Sequence, residues 1–304
     1  MSGQRLITII RRSASALVVL AGTTVLSSGP ALAVAIELPQ TCPPGEVQEL
    51  EMCDLGSLRT DNLGLSRANA VSADGTAIVG MAATDSIMMR PLIKVDEGPG
   101  MMGVGTQRAF RWANNGTGMQ DLGSLRMDNQ GGSVAHAVSA NGIVVVGEAE
   151  TDDMDGRAFR WVAGNAGMQD LGSLAGPAQG SSVALALSAD GSVVVGKALT
   201  ADQVGQAFFW RDDGKGMLGL GTLSGDAKGE STAVSVSADG TVVAGFSDTA
   251  DGSVRAFRWF PGSEGMEDLG SLRPMFGNST AAAVSADGSV IVAALVSSEP
   301  DRPR

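Results

Sequence analysis

The chain contains one histidine, His136, the residue type that most often acts as a general base at neutral pH. Nucleophilic catalysis needs a histidine, a nucleophile and an orienting acid in one place. No such partners stand at a meaningful spacing from His136 in the sequence. The sequence therefore predicts a structural role for His136 and no catalytic residue.

Carboxylates are the second class of candidates for chemistry. One set precedes glycine in a recurring turn: Asp74, Asp190, Asp239 and Asp287, with Asn141 in the equivalent place. A second set recurs within Asp-Leu-Gly words: Asp54, Asp121, Asp170 and Asp268. A glycosidase needs two carboxylates in different environments, whereas these acids return in the same context each time. We predict that the first set shapes hairpin turns and that the second binds backbone amides.

Two further groups of residues are candidates for metal binding or thiol chemistry. Residues 152–156 read Asp-Asp-Met-Asp-Gly, the beginning of a calcium-loop pattern, but the later bidentate glutamate is missing. Cys42 and Cys53 lack further ligands for a metal site, and in an exported chain we expect them to form a disulfide. We predict no metal site and no cofactor, and Ca²⁺ binding stays open as an alternative.

A repeat of 49 residues organises these side chains, because the word Met-Gln-Asp-Leu-Gly-Ser-Leu at Met119 returns at Met168 and, with small changes, at Met217 and Met266. A degenerate copy occupies residues 52–58. Two further words keep the same spacing: Ala-Phe-Arg-Trp, which has one variant copy, and Ala-Val-Ser-Ala-Asp-Gly, which has three. Repeats of this length indicate stacked supersecondary units whose apolar faces are buried only by their neighbours.

Each repeat contains four strand-like segments, which predict an all-β protein. In residues 133–174, a Val- and Ala-rich run, an Asn-Gly turn and the apolar run 143–146 predict a hairpin, and two more segments follow. Four antiparallel strands per repeat are typical of a β-propeller, whereas the coils of a parallel β-helix are shorter. We predict about five four-stranded blades with Phe and Trp packed between them. Residues 52–58, with 36–38 or 47–50, are expected to complete the last blade and close the ring.

The first 35 residues differ from the rest of the chain. A basic start with Arg5, Arg11 and Arg12 precedes an apolar stretch and small residues up to Ala35, which predicts a secretory signal peptide; a membrane anchor is the alternative. We expect a single repeat domain at 36–298, a short tail at 299–304 and no membrane-spanning segment after cleavage. The formal net charge of -12 makes nucleic acid an unfavourable partner.

The three words in their order and spacing resemble the HAF repeats of bacterial extracellular proteins, and the resemblance covers residues 52–296. Here the first word reads Arg-Ala-Phe or Gln-Ala-Phe where the family often has His-Ala-Phe. The resemblance implies export to the periplasm, the cell surface or the medium. Similar arrays are passengers of autotransporters, whose C-terminal barrel we do not expect here, since only eight residues follow Val296.

One segment departs from the repeat. Gly80 and Arg108 are 28 positions apart, whereas Gly147 and Arg157 are 10 apart, so an insertion occupies residues 84–105. Its candidate binding residues are Met88, Met89, Arg90, Lys94, Asp96 and Glu97. Insertions on one face of a repeat array often carry binding, and methionine-rich surfaces adapt to protein contacts; a neutral loop is the alternative.

These observations favour a monomeric, non-catalytic interaction or adhesion module whose partner is an unknown protein or glycan at a cell surface. A Ca²⁺- or glycan-binding lectin-like propeller is the alternative, and a propeller hydrolase is a further one.

Overall fold

The chain forms an all-β structure in a computed structural model that describes residues 55–91, 101–114, 118–176, 179–226, 228–271 and 277–296. Among these residues, eighteen strands form four four-stranded antiparallel sheets and one two-stranded sheet. No helix in the described part is long and apolar enough to cross a membrane.

The strands follow the repeat in chain order. The first blade contains β1 (Ser66–Val71), β2 (Ala77–Pro91), β3 (Met101–Ala113) and β4 (Gly118–Asp121). The second contains β5 (Ser133–Val138), β6 (Val144–Glu150), β7 (Gly156–Val162) and β8 (Met168–Asp170). The third contains β9 (Ser182–Leu187), β10 (Val193–Leu199), β11 (Gly205–Arg211) and β12 (Met217–Gly219). The fourth contains β13 (Ser231–Val236), β14 (Val243–Asp248), β15 (Val254–Trp259) and β16 (Glu267–Asp268), and the fifth β17 (Asn278–Val284) and β18 (Ile291–Val296).

The hydrophobic core lies between blades. Phe159 and Trp161 pack with Val79 and Ala109 of the first blade, whereas Ala158 packs against the third blade. This division follows from the alternation of side chains along β7, which sends successive residues to opposite faces of the sheet. The second, third and fourth blades are thus covered on both sides by their neighbours, and the predicted β-propeller architecture of repeated four-stranded blades is confirmed.

The turns between the first and second strands join one blade to the next through the backbone. The amide of Ala140 donates to the carbonyl of Ala189, Ala189 donates to Ala238, and Ala238 donates to Ala286, each at 2.9 Å. The amide of Asp74 donates to Ala140 at 3.3 Å, which connects the first blade to the same ladder. Hydrogen bonds between these turns therefore join five consecutive blades.

A β-bulge interrupts the first strand of every blade. In the second blade the register shifts between Ala135 and Ala137, and Gly147 on β6 lies opposite this point. A Cβ atom on Gly147 would lie 1.9 Å from the carbonyl oxygen of Val134, so the backbone would have to shift to accept alanine there, and the fifth blade has Ala293 at the equivalent position. The same close approach occurs at Gly80, Gly196 and Gly245.

The fourth strands are shorter than the sequence predicted. The repeated word was expected to be a strand throughout, but β8 ends at Asp170 and the following Leu-Gly-Ser-Leu segment is irregular. Gly172 has a φ of 77°, and Gly123 in the first blade has a φ of 88°. These left-handed conformations end the extended backbone and direct the chain toward the first strand of the next blade.

The predicted closure of the ring stays a prediction. Residues 36–54 lie outside the described residues, and 55–58 form no strand. The fifth blade has two described strands, and Val290 and Val292 are exposed. The predicted signal peptide at 1–35, Cys42 and Cys53, and the tail at 299–304 also lie outside the described residues.

Candidate binding face

The blades present two different faces. The turns between first and second strands lie on one face, which we call the turn face. The connections between second and third strands, and those leading to the next blade, lie on the other, which we call the loop face. Contacts between the two kinds of connection support this assignment, since the amide of Met127 donates to Asp152 Oδ1 at 3.1 Å.

A threonine clamps the base of the loop between the second and third strands. Thr151 donates its amide and its hydroxyl to the carbonyl of Asp155, at 3.0 and 3.2 Å. Thr249 makes the same two bonds to Ser253 in the fourth blade. In the first blade, the hydroxyl of Thr84 donates to the carbonyl of Thr106 at 3.1 Å, so the long connection there begins from the same base.

The insertion of the first blade is a β-hairpin arm. Its two strands are the outer parts of β2 and β3, which pair from Ile87 with Gly105 to Pro91 with Met101. β1 pairs with β2 only as far as Ala82, and β4 pairs with β3 only from Phe110 onwards. Within the described chain, both edges of the arm are therefore unpaired.

This arrangement corrects the interpretation of residues 84–105 as a loop. The pairing of β2 with β3 continues past a bulge between Ala83 and Ile87, because residues with strand propensity follow on both sides. Among the candidate binding residues, Met88 pairs with Val104, Met89 with Gly103 and Arg90 with Met102 in the arm. Lys94, Asp96 and Glu97 lie outside the described residues.

Large apolar side chains surround the base of the arm on the loop face. Met127 is 95% exposed and Met154 is 75% exposed, and Leu63 is 71% exposed. The blade part of β3 contacts this region, because Arg108 donates from Nη2 to the carbonyl of Asn129. Met127 and Met154 were not recognised in the sequence as candidate binding residues, although neither position is methionine in the third or fourth repeat.

The charges beside these methionines are mainly negative. Arg59 lies 2.7 Å from Asp61 and 3.9 Å from Asp85, and Arg126 lies 2.9 Å from Asp128 and 3.9 Å from Glu150. The bond from Arg126 lowers the pKa of Asp128 to about 2, and that from Arg59 lowers the pKa of Asp61 to about 2.

Three more carboxylates lie on the loop connecting β6 and β7: Asp152, Asp153 and Asp155. None of them forms an ion pair with another described residue. The loop face next to the arm is therefore acidic as well as apolar.

The recurring acids have the structural roles that the sequence predicted. Asp170 Oδ1 accepts the amide of Gly172 at 2.7 Å, and its Oδ2 lies 3.4 Å from the buried guanidinium of Arg157. Asp121 and Asp268 accept glycine amides in the same way. Asp54 lies outside the described residues.

The turn aspartates accept bonds from serine and from the backbone. The hydroxyl of Ser188 donates to Asp190 Oδ1 at 2.6 Å, and the amide of Ser192 donates to the same atom at 3.0 Å. These bonds stabilise the ionised carboxylate and lower the pKa of Asp190. Asn141 accepts the equivalent bonds without a charge. The requirement of the turn is thus an oxygen acceptor at this position.

A second recurring contact was not recognised in the sequence. Ser182 accepts the amide of Ala158 at 2.9 Å and donates to the carbonyl of Gly172, so one hydroxyl joins two blades. Ser133, Ser231 and Ser279 do the same in the other blades. A serine at the same place in every repeat was the signal that could have revealed this contact.

His136 occupies the bulge of β5, where the other blades have Asn69, Leu185, Val234 and Ala282. Its Nε2 lies 3.7 Å from Glu148 Oε1. In the described part of the chain, no three residues among His, Cys, Asp and Glu come together in a way that could hold a metal ion.

The turn face contains a cleft. A cleft of about 450 Å³ is lined by Arg211, Thr241, Val242, Arg258, Phe260 and Pro261. Arg211 lies 5.5 Å from the ring of Phe209 and has no ion pair with any described residue, whereas Arg258 lies 2.5 Å from Glu267. Phe260 is 45% exposed.

Comparison with known proteins gives only distant matches. No protein-family model and no curated protein matches the chain. Among solved structures, a protein assigned as TolB in Agrobacterium tumefaciens has a TM-score of 0.43 and 11% identity, covering 72% of this chain and 69% of that one. TolB of Acinetobacter baumannii has a TM-score of 0.32 and 10% identity, with coverages of 74% and 64%. PpgL, a periplasmic gluconolactonase of Pseudomonas aeruginosa, has a TM-score of 0.33 and 16% identity, with coverages of 83% and 68%. Similarity this low carries no information on the ligand, activity or location of this chain.

Proposed function

We propose that this protein is an exported, non-catalytic interaction module that binds another macromolecule through the β-hairpin arm and the adjoining loop face. The arm carries the proposal, because it is a two-stranded extension of one blade with both described edges unpaired. Unpaired strand edges bind other chains by adding a strand, and such edges are otherwise a liability for a protein.

The repeated residues support a binding function without chemistry of its own. The described serines, aspartates and arginines that recur between blades bond to turns or to neighbouring blades. The signal-like segment at 1–35 and the resemblance to HAF repeats favour export to the periplasm or the cell surface. Binding to a surface partner is therefore the function that we assign to the part of the molecule that departs from the repeat.

A loop graft tests the arm with little change to the blade. Thr84 and Thr106 correspond to Thr151 and Asp155, so residues 85–105 can be replaced by the three residues Asp-Asp-Met at 152–154. A matched control replaces residues 201–203 of the third blade with the same three residues. Both variants should keep the β-sheet circular dichroism and thermal unfolding midpoint of the unmodified protein.

The measurement is the amount of fluorescently labelled protein bound to intact bacterial and epithelial cells. We expect the arm graft to lose at least about tenfold in bound protein, because the unpaired strand edges are removed, while the control graft binds normally. Equal binding by the arm graft and the unmodified protein would contradict the proposal.

Glycan binding is the second candidate, and the cleft on the turn face favours it. Exposed Phe260 offers an apolar ring surface, and Arg211 offers hydrogen-bond donors that no described acid neutralises. A glycan array with the unmodified protein and with the Arg211→Ala and Phe260→Ala variants tests this candidate. Signals that persist in both variants would exclude the cleft as the glycan site.

A further inference from the structure

We propose that the loop face beside the arm recognises a basic, apolar protein segment. This inference rests on the proposed function and specifies the chemistry of the partner. The surface consists of the loop at 126–129, the loop at 152–155 and the base of the arm, and we call it the methionine surface.

The fold does not require the exposed methionine at position 154 of this surface. Met154 has a φ of 62°, a left-handed conformation that a non-glycine residue adopts at a cost. The loop geometry alone requires no methionine, because Gln203 has the same φ in the third blade and Gly252 has a φ of 79° in the fourth. Met154 is therefore an exposed, flexible apolar side chain at a position where glycine would suit the backbone better.

Met127 extends the apolar surface from the neighbouring loop. Its amide bond to Asp152 holds the two loops together, so both methionines belong to one region of the second blade. The equivalent position of the first blade is Thr60, whose amide bonds to Asp85 in the same way. The loop contact is thus independent of the side chain, and methionine at 127 adds only an exposed apolar group.

The negative charge of the methionine surface indicates which kind of partner it would bind. Arg59 and Arg126 each lie close to two carboxylates, and Asp153 and Asp155 have no described ion-pair partner. An acidic surface around exposed methionines complements a segment that combines Lys or Arg with aliphatic or aromatic residues. An acidic segment would be repelled, and a purely apolar one would leave the carboxylates without compensation.

A random peptide library displayed on phage tests this chemistry directly. The library is selected on the full-length protein and depleted on a variant that carries Met127→Ser, Met154→Gly, Asp153→Asn and Asp155→Asn. Control depletion uses Gln203→Gly with Asp202→Asn, the matched positions of the third blade. We expect peptides that are rich in Lys or Arg and apolar residues, and that survive depletion on the four-substitution variant but are removed by depletion on the control variant.

Affinities of the selected peptides, measured by fluorescence anisotropy at 50 and 300 mM NaCl, complete the test. We expect the four substitutions together to weaken binding about tenfold or more, and the higher salt concentration to weaken it several-fold. Acidic peptides, peptides that bind the variant equally, or the absence of any enrichment over the control would each overturn the inference.

The arm graft separates this inference from the proposed function. Loss of cell binding by the graft together with failure of the peptide selection would leave the arm as the binding element and reject the partner chemistry. Normal cell binding by the graft would reject the arm as the binding element, and the peptide selection would then decide the partner chemistry of the methionine surface by itself, because the graft leaves the loops at 126–129 and 152–155 unchanged.

Discussion

Arg157 Nη1 lies 3.4 Å from Asp170 Oδ2 in the second blade, and the two residues are replaced together in the third. Gln206 stands at the position of Arg157, and Gly219 stands at the position of Asp170. The guanidinium of Arg157 is buried, and its Nε also donates to the carbonyl of Gly180 at 2.7 Å. A buried guanidinium that loses its carboxylate is costly, which explains why the arginine is absent where the acid is absent.

This relationship predicts non-additive effects of substitution. Asp170→Gly alone should destabilise the protein by about 1–3 kcal/mol, because it leaves the Arg157 guanidinium without its charged partner. The double variant Arg157→Gln with Asp170→Gly should be more stable than the sum of the single variants by about 0.5–2 kcal/mol. Urea unfolding of the four proteins measures the coupling, and strict additivity would show that the pair acts as two independent residues.

The glycines opposite the bulges of the first four blades should tolerate alanine poorly, whereas the fifth blade has Ala293 at this position. A Cβ atom on Gly196 would lie 2.0 Å from the carbonyl oxygen of Val183 and 2.9 Å from the ring of Phe208. Gly196→Ala should therefore cost about 3 kcal/mol or more in unfolding free energy, or prevent folding. Gly265→Ala is the control, since no atom lies within 4 Å of its added Cβ. Thermal unfolding compares the two, and equal midpoints would contradict the packing argument.

The serine that joins two blades should contribute measurably to stability. Ser182→Ala removes the acceptor of the Ala158 amide and the donor to the Gly172 carbonyl, so we expect a loss of about 2 kcal/mol. Ser192→Ala is the control, because the Ser192 hydroxyl bonds to Asp190 within its own turn and joins no second blade. A loss in Ser182→Ala no larger than that of the control in urea unfolding would show that the contact between blades is dispensable.

The turn aspartates should make stability depend on pH in acid. The bond from the Ser285 hydroxyl, followed by bonds from Ser289, lowers the pKa of Asp287 from 3.8 to about 2. Because the folded pKa is depressed, the stabilisation is fully present above about pH 4 and is lost as the pH falls toward 2.

Asp287→Asn should reduce this loss, since the amide keeps an acceptor oxygen as Asn141 does. Urea unfolding of both proteins between pH 7 and pH 2 measures the difference. A stability difference between them that does not change with pH would contradict the assignment of the lowered pKa to the folded turn.

The repeat allowed most of the fold to be predicted, because a residue that recurs in every blade meets the same environment each time. The hairpin turn at Asn141, the aromatic packing of Phe159 and Trp161 and the backbone role of Asp170 were all visible in this way. The early end of β8 was missed because the positive φ of Gly172 depends on the direction to the next blade.

The binding face was less predictable. The insertion was evident from its length, but its β pairing is set by the long-range register of β2 and β3. Met127 and Met154 come from two loops that are separated in sequence and joined by Asp152, so their proximity appears only in the folded chain. The function of the face therefore depends on contacts that the repeat does not encode.

The backbone ladder through Ala140, Ala189 and Ala238 has the same polarity at each step, since every amide donates toward the blade that follows. Each blade within the array thus accepts one hydrogen bond from the previous blade and donates one to the next. No described donor or acceptor of this ladder is left without a partner between two blades. A gene duplication that adds one more 49-residue unit would meet the same donors and acceptors on both sides. The turns between first and second strands therefore impose no limit on the number of blades.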